Sequence, residues 1–402
     1  MRDQNERPVS RGAMVSTIAV VILAAAVAQG FGRFTYGVVL PDIRDDLLNG
    51  SNTLAGLLGT ANTFAYLAGT LTVAWLGSRF DLVQILRGGM VFSVTGITLA
   101  VFAPNGAVLA GALLLMGLGG AAIWIPSPGL ATQVVSLRRR GLAVGMMGAG
   151  VGGGIVWSGQ LANIVENQGR TWRAVYGVHS IVGISTLVLV LAVLRSRSDT
   201  RGSSGGFGGF GVLAQMPGWK ALTACYAAYG FGYLLVVAFF IARLEDDSGF
   251  TSDESSLAFT VFGACTVVGG ITLGRISDWF GRRRAMAGGY LTFAGSTLLL
   301  LVGSQPWVYI GAVGVGILFG GLATVIAAYI VDHTEPTTYG PSYAAATFAF
   351  GVAQVLSPQV GGAIADWQGS FTWVFVLSAL VMCCGAAFAL ALPHDHRVGA
   401  RR

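Results

Sequence analysis

The sequence predicts an all-α membrane protein with twelve transmembrane helices, arranged as two six-helix bundles related by a parallel pseudo-twofold repeat. Three observations predict this class: the apolar composition, the distribution of positive charge among successive loops, and a repeat at an offset of 200 residues. Hydrophobic residues make up 54% of the 402 residues and charged residues only 10%, whereas soluble domains carry about 25% charged residues. Backbone groups in a bilayer must pair internally, and long uninterrupted apolar runs favour helices over barrel strands.

The first apolar segment follows a polar tail and is too long for a signal peptide, so we expect a retained helix. A crossing helix needs about 20 apolar residues. Pro126 and Pro128 predict a bend in the fourth crossing. The predicted spans are 15–40, 53–76, 84–103, 107–135, 141–165, 174–194, 219–243, 255–274, 286–303, 306–331, 341–364 and 371–392.

Positive residues alternate from one loop to the next. Nineteen of the 24 Lys and Arg residues fall in the two termini and in every second loop, four fall in the other loops, and Arg33 lies inside the first span. Because cytoplasmic loops carry the excess of Lys and Arg, both termini are predicted in the cytoplasm. The net charge of +6 then belongs to the membrane surface and does not indicate nucleic-acid binding. We expect a multi-pass protein of a bacterial cytoplasmic (inner) membrane.

The repeat divides the chain into two halves. AQGFGRF at 28–34 matches AYGFGYL at 228–234, and GTLT at 69–72 matches GGIT at 269–272. Six spans per half keep the same orientation, which predicts parallel repeats about an axis along the membrane normal. The predicted units are an N-terminal bundle, a flexible cytoplasmic linker rich in Gly and Ser, and a C-terminal bundle, at residues 1–194, 195–220 and 221–402.

The loop between spans eight and nine reads GRISDWFGRRR. With this loop and six plus six spans, the chain resembles the major facilitator superfamily (MFS), whose loop signature is G-x-x-x-D-R-x-G-R-R. The resemblance implies a secondary transporter that works by alternating access, with this cluster latching one conformational state. Trp279 replaces the signature arginine, and the first-half copy has Ser78 in place of the aspartate, which leaves open which half carries the latch. The matching residues are Gly274, Asp278, Gly281, Arg282 and Arg283.

Two further segments, GFGRFTYGVVLP at 30–41 and ANTFAYLAG at 61–69, resemble the poorly characterised YbfB-like branch of the superfamily. That branch implies no agreed substrate. The leading hypothesis is therefore transport of a small organic solute. Efflux of drugs or metabolites by proton antiport is an alternative, although the fifth span lacks the Gly-Pro dipeptide typical of such antiporters, and a non-transporting sensor is a remote one. The sequence has no enzymatic motif, and we expect no enzyme.

Arg33 is the first candidate for the substrate site. A charge at the bilayer centre costs at least about 2.5–3.5 kcal/mol, and such residues face a protein interior or a water-filled cavity. The guanidinium is a planar fork that binds carboxylates in bidentate fashion, so we predict an organic anion as solute. Capping of neighbouring carbonyls or snorkelling is the structural alternative. In this superfamily the substrate lies between the halves, and the candidates are Arg33, Gln29, Tyr36, Asn62, Tyr66, Trp124, Trp157, Gln160, Tyr226, Tyr229, Tyr233, Tyr329 and Gln354.

A proton relay is harder to assign, because no carboxylate falls clearly at mid-membrane. Marginal candidates are Asp42, Asp332, His333 and His179. The four cysteines lie in apolar segments without metal-ligand spacing. We expect no cofactor and no metal. The expected partners are a small-molecule solute, alone or with protons, and the lipid bilayer, and we expect a monomer.

Overall fold

The computed structural model describes residues 11–77, 79–135, 140–195, 209–334 and 336–393, and all regular structure within these ranges is helical. Nine helices in the described ranges are long and apolar enough to cross a membrane. The chain is therefore a multi-pass membrane protein. The nine are Gly12–Val38, Leu82–Val101, Gly106–Gln133, Trp172–Val193, Trp219–Ala238, Ser252–Phe280, Trp307–His333, Ser342–Gln368 and Thr372–Leu390.

The first half begins with a long composite rod. Its parts are α1 (Arg11–Ala25), a π-helix (Ala26–Phe34), α2 (Thr35–Val38) and α3 (Leu40–Leu47). The remaining helices are α4 (Asn52–Leu76), α5 (Leu82–Val101), α6 (Gly106–Trp124), α7 (Ser127–Gln133), α8 (Arg140–Asn167) and α9 (Trp172–Val193). The break between α6 and α7 contains Pro126, which has no backbone N–H to continue a helix, so the helix is interrupted at the position of the predicted bend.

The second half is built from helices as well. They are α10 (Gly209–Gln215), α11 (Trp219–Ala238), α12 (Phe240–Ala242), a π-helix (Arg243–Asp247), α13 (Ser252–Phe280), α14 (Arg282–Leu301), α15 (Trp307–His333), α16 (Pro336–Gln368) and α17 (Thr372–Leu390). Helix α10 lies within the segment predicted as a flexible linker. Residues 196–208 of that segment lie outside the described residues.

Helix boundaries recur at the same offset of 200 residues as the sequence repeat. The start of α4 illustrates the local cause: the Ser51 side chain accepts a hydrogen bond from the Leu54 N–H, and Thr251 accepts one from the Glu254 N–H at the start of α13. Such caps satisfy backbone donors that have no partner inside the helix. The recurring boundaries are Val38 and Ala238, Leu40 and Phe240, Asn52 and Ser252, Leu82 and Arg282, Val101 and Leu301, and Trp172 and Thr372.

The two halves meet along two helix pairs, α4 with α16 and α8 with α13. Small residues bring the backbones close: a Cβ on Gly56 would lie 2.3 Å from the Pro358 carbonyl oxygen. We call the helix ends formed by residues 41–53, 166–172, 244–255 and 366–372 the Arg44 end, and the opposite ends, with residues 274–284, the Asp278 end. Arg33 lies between the two, where the halves face each other.

Candidate functional site

The backbone around Arg33 departs from a regular α-helix. In the π-helix the Thr35 N–H donates to the Gly30 carbonyl five residues back, and the Thr35 hydroxyl donates to the same oxygen over 3.2 Å. Gly30 packs directly on α8, because a Cβ at this position would lie 2.6 Å from Cα of Gly154. The wide turn and the close helix contact set the direction in which the Arg33 side chain leaves the first half, and π-turns are frequent at functional sites.

The Arg33 guanidinium reaches across to the second half. Its Nη2 donates to Oε1 of Gln354 over 2.8 Å and to the Tyr233 hydroxyl over 3.5 Å, and the Gln354 amide donates to the same hydroxyl. On the first-half side, the guanidinium carbon lies 4.9 Å from the Tyr66 ring centroid, a cation–π contact. These partners come from α16, α11 and α4. Arg33 therefore contacts both halves, and each of these partners is electrically neutral.

Arg33 retains unused binding capacity. Its Nε is buried and has no hydrogen-bond partner among the described residues. No described carboxylate lies within ion-pair distance of it. Arg33 is half-buried, and a cation withdrawn from water is ordinarily paired with an anion, since an isolated charge is costly to desolvate. The arrangement fits a site whose anion arrives from outside the protein.

An aromatic wall, formed by Tyr226, Tyr229, Tyr233 and Phe350, lines the second-half side of the site. Phe350 stacks on Tyr226, Tyr229 and Tyr233, with ring centroids 4.5, 5.8 and 6.1 Å apart. The three tyrosines of the wall are buried, whereas Phe350 and the first-half Tyr66 are only half-buried. One half thus supplies a cationic fork and the other a stack of rings, a combination that suits a flat, anionic solute.

Six of the predicted residues come together here: Arg33, Gln29, Tyr66, Tyr229, Tyr233 and Gln354. Gln29 joins the group through its interaction with the Tyr66 hydroxyl. Tyr226, named with them, forms part of the aromatic wall. Phe350 and Phe319 also belong to the site but were not predicted; Phe319 lies 4.9 Å from the Tyr233 ring. Phe350 precedes Gln354 by four residues and so shares its helix face, which is the one signal that could have indicated it.

Other predicted residues have different partners. Asn62 donates to the carbonyls of Gly32 and Leu113, over 3.1 and 3.0 Å, and so ties α4 to the π-helix and α6. Tyr36 donates to the Ala55 carbonyl over 2.7 Å. Gln160 donates to the Thr260 hydroxyl over 2.8 Å and links α8 with α13. All three contacts are between helices.

Three predicted aromatic residues lie away from Arg33's contacts. Trp157 is 46% exposed on the surface of α8. Trp124 is half-buried against the core at the end of α6. Tyr329 is fully buried towards the Asp278 end, where its ring stacks on His333 at 4.1 Å. His179, a marginal candidate for proton transfer, stacks on Phe31 at 4.1 Å inside the first half.

The predicted latch residues form a network within the second half. Arg282 pairs with Asp278 at 2.6 Å and with Asp332 at 3.0 Å, and Arg283 donates to the Leu390 carbonyl. Gly281, between α13 and α14, has a φ of +87°, which glycine adopts without strain. In the first half, the Arg79 guanidinium lies 4.0 Å from the Trp75 ring centroid, and Ser78 lies outside the described residues.

The Arg44 end joins the two halves by ionic contacts. Arg44 binds Asp246 of the second half with both Nη atoms and Asp45 with Nε. Asp366 at the end of α16 accepts the backbone N–H groups of Asn52 and Thr53, over 2.8 and 2.7 Å, at the N-terminus of α4. A carboxylate there compensates the positive end of the helix dipole. These contacts hold α3 and α4 to the second half.

Two carboxyls at this end have raised pKa values. Burial raises the pKa of Asp42 to about 6, and the nearby carboxylates Glu166, Asp45 and Asp46 add to the shift. Burial raises the pKa of Glu245 to about 7, with Glu166 and Asp42 adding to it. Asp42 and Glu245 come from different halves and line one small cavity of about 20 Å³, together with Glu166 and Arg170. Cavities of this size hold about one water molecule.

Comparison with known proteins gives a consistent result. Residues 25–390 match the family described as "Uncharacterised MFS-type transporter YbfB". The chain is 22% identical to the "Uncharacterized MFS-type transporter YfhI" of Bacillus subtilis (strain 168), over 92% of each chain. It is 23% identical to the "Gentisate transporter" of Corynebacterium glutamicum, covering 92% of this chain and 86% of that protein.

Among solved structures, the fold is similar to that of a bacterial homologue of the human lysosomal transporter Spinster in an inward-facing, unoccupied conformation. The TM-score is 0.71 and the sequence identity 15%, and the similarity covers 95% of this chain and 96% of the other. At this identity the similarity concerns the fold.

Proposed function

Because this chain belongs to the family of YbfB-like MFS-type transporters, we propose that it carries a small organic anion, an aromatic carboxylate, across a bacterial cytoplasmic membrane by alternating access. Arg33 binds the carboxylate and the aromatic wall packs against the ring. One observation carries the proposal: Arg33 is held between the halves by an amide, a hydroxyl and an aromatic face, with a buried Nε that has no partner among the described residues.

The proposed architecture is twelve crossings in two parallel six-helix bundles, joined by the linker. The recurrence of helix boundaries at an offset of 200 residues supports it. The arginine distribution favours cytoplasmic termini and, with them, an outer position for the Arg44 end. Contacts of Arg44 and Asp366 across the halves then favour a state that is closed on the outer side. The Arg282 network is the proposed latch of the cytoplasmic side, carried by the second half.

The carboxylate is favoured over other solutes by the chemistry of the site. A carboxylate can accept two parallel bonds from one guanidinium, and charge-assisted bonds are about twice as strong as neutral ones. Flat rings add offset stacking with the four aromatic side chains of the wall. The gentisate transporter among the relatives supports an aromatic acid as the first solute to test.

The test is uptake and release of radiolabelled gentisate and benzoate by purified protein in proteoliposomes, with each direction measured. Arg33→Gln is expected to lower transport about a hundredfold, since a charged bidentate contact is lost. Arg33→Lys is expected to lose about tenfold, because an ammonium supplies the charge without the fork.

Arg87→Gln is the matched control. Arg87 donates to the carbonyls of Leu191 and Leu194 within the first half, so its loss removes an arginine away from the site. Its transport rate should stay within about twofold of wild type. The proposal is wrong if neither acid moves, or if Arg33→Gln carries them as fast as Arg87→Gln does.

A further inference from the structure

Gln354 occupies the face of Arg33 that a ligand would use. Its amide oxygen accepts the 2.8 Å bond from Nη2, and its amide nitrogen donates to Tyr233, which also contacts Nη2. Gln354 is 1% exposed, so its amide is shielded from solvent and bonds to protein groups. In this structure a neutral oxygen from the second half thus takes the place of a ligand oxygen beside a first-half cation.

A carboxylate is a better partner for Arg33 than this amide. Both groups offer an oxygen acceptor. Only the carboxylate is negatively charged and has two oxygens that accept two parallel bonds from one guanidinium. The Gln354 contact is therefore weak enough to be exchanged. When no ligand is present, the contact also gives the half-buried guanidinium a hydrogen-bond partner. Leaving that donor without a partner would cost more free energy than the bond itself contributes.

We infer that Gln354 is an internal competitor of the solute: it holds Arg33 in the ligand-free state and is displaced when a carboxylate binds. The inference rests on the proposed function and deepens it. When the carboxylate replaces Gln354 as the partner of Arg33, a direct link between the π-helix of the first half and α16 of the second is lost. By linkage, a conformation in which this link is already broken binds the carboxylate more tightly. Gln354 thus couples occupancy of the site to the separation of the halves.

The direction of an affinity change distinguishes a competitor from a ligand-binding group. Gln354→Leu is expected to tighten gentisate binding about fivefold to tenfold, measured by isothermal calorimetry in detergent, because one hydrogen bond to a charged group no longer has to be broken. Weaker binding in this variant would show that Gln354 contacts the ligand directly, and would overturn the inference.

Thr60→Val is the matched control. Thr60 of α4 donates to the Val355 carbonyl of α16 over 3.0 Å, so this variant removes another cross-half bond to α16, next to Gln354, without touching Arg33. Gentisate affinity should change by less than about twofold in Thr60→Val. An equal gain in both variants would assign the effect to a looser interface and would also overturn the inference.

A second variant adds a measurement that needs no ligand. Gln354→Glu places a permanent anion beside Arg33, so Arg33→Gln should lower the unfolding temperature at least twice as far in the Gln354→Glu background as in the wild-type background. Gln354→Glu alone should lower gentisate affinity more than about thirtyfold, because the site now holds its own carboxylate. If Arg33→Gln lowered the unfolding temperature equally in the wild-type and Gln354→Glu backgrounds, Arg33 and residue 354 would not be in contact. That result would overturn the inference. Unchanged gentisate binding in Arg33→Gln would instead remove the proposed function, so the two failures are distinguishable.

Discussion

Arg33 and Arg44 lie in the same composite rod and both reach from the first half to the second, yet their surroundings differ. Arg44 binds two carboxylates, Asp45 and Asp246, and donates to the Asn52 side chain. Arg33 binds an amide and a hydroxyl and keeps an unpartnered Nε within the described part of the chain. An arginine whose donors are filled by anions is a fixed link. One whose partners are neutral is prepared to exchange them.

The comparison also separates stability from function. Removing Arg44 leaves the partly exposed carboxylate of Asp246 without its cation, and unpaired charges are costly. Removing Arg33 leaves only neutral groups behind, which can bond to each other or to water. The two arginines should therefore respond in different ways to the same substitution, Arg44 in stability and Arg33 in ligand binding.

The largest expected effect is on stability. Arg44→Gln should lower the free energy of unfolding by about 2–3 kcal/mol, reduced from the value for a fully buried pair because Asp246 is partly exposed. Arg33→Gln should change it by about 1 kcal/mol or less. Chemical denaturation in detergent, followed by tryptophan fluorescence, measures both. Combining Arg44→Asp with Asp246→Arg should recover most of the loss; similar losses for Arg33→Gln and Arg44→Gln would remove the distinction.

The long helices and Arg33 could be predicted from the sequence more readily than the residues that contact Arg33. Hydropathy marks the long helices because a bilayer demands continuous apolar runs, and Arg33 is conspicuous as a charge within one. The π-helix leaves no such signal, since nothing in AVAQGFGRF distinguishes π-helical from α-helical backbone. Phe350 is likewise one apolar residue among many. Such residues become site residues only through the packing of α16 on α11 and α4.

The ionic contacts between the halves at the Arg44 end are the other feature that was not predicted. Arg44, Asp246 and Asp366 read from the sequence as ordinary loop residues. Their pairing depends on which helix ends the two halves bring together, over separations of 202 residues for Arg44 with Asp246 and 314 for Asn52 with Asp366. Sequence periodicity reports local structure, so contacts at this range could not be derived from it.

A smaller effect is expected at the glycine that places Arg33. Gly30→Ala puts a methyl 2.6 Å from Cα of Gly154, and the backbones of the π-helix and α8 must separate. Overpacking of this kind costs about 1–3 kcal/mol. Gly148→Ala in α8 is the control, since a Cβ there meets nothing within 4 Å, and alanine should stabilise that helix by about 0.5–1 kcal/mol. Thermal unfolding measures both, and gentisate affinity in Gly30→Ala shows whether Arg33 has moved with its backbone.

The smallest effect concerns pH at the Arg44 end. The pKa values of Asp42 and Glu245 are raised from 3.8 to about 6 and from 4.5 to about 7. Both carboxyls hold a proton more tightly here than in water, so their ionisation opposes this arrangement of the halves. The stabilising contribution of these two carboxyls should be fully present below about pH 4, fall as the pH rises through the two raised values, and be lost above about pH 7.

Between pH 5 and pH 8 the unfolding temperature should drop by about 1–3 °C, a small change because Asp42 reaches solvent. The double variant Asp42→Asn with Glu245→Gln should flatten this profile. Asp366→Asn is the control: hydrogen bonds from Thr53 and Asn52 lower the pKa of Asp366, and its carboxylate is not among those that raise the pKa of Asp42 or Glu245. A profile that stays steep in the double variant would place the titrating groups elsewhere. A flat one would show that the end fixed by Arg44 also responds to acid, while the site at Arg33 has no carboxyl of its own to titrate among the described residues.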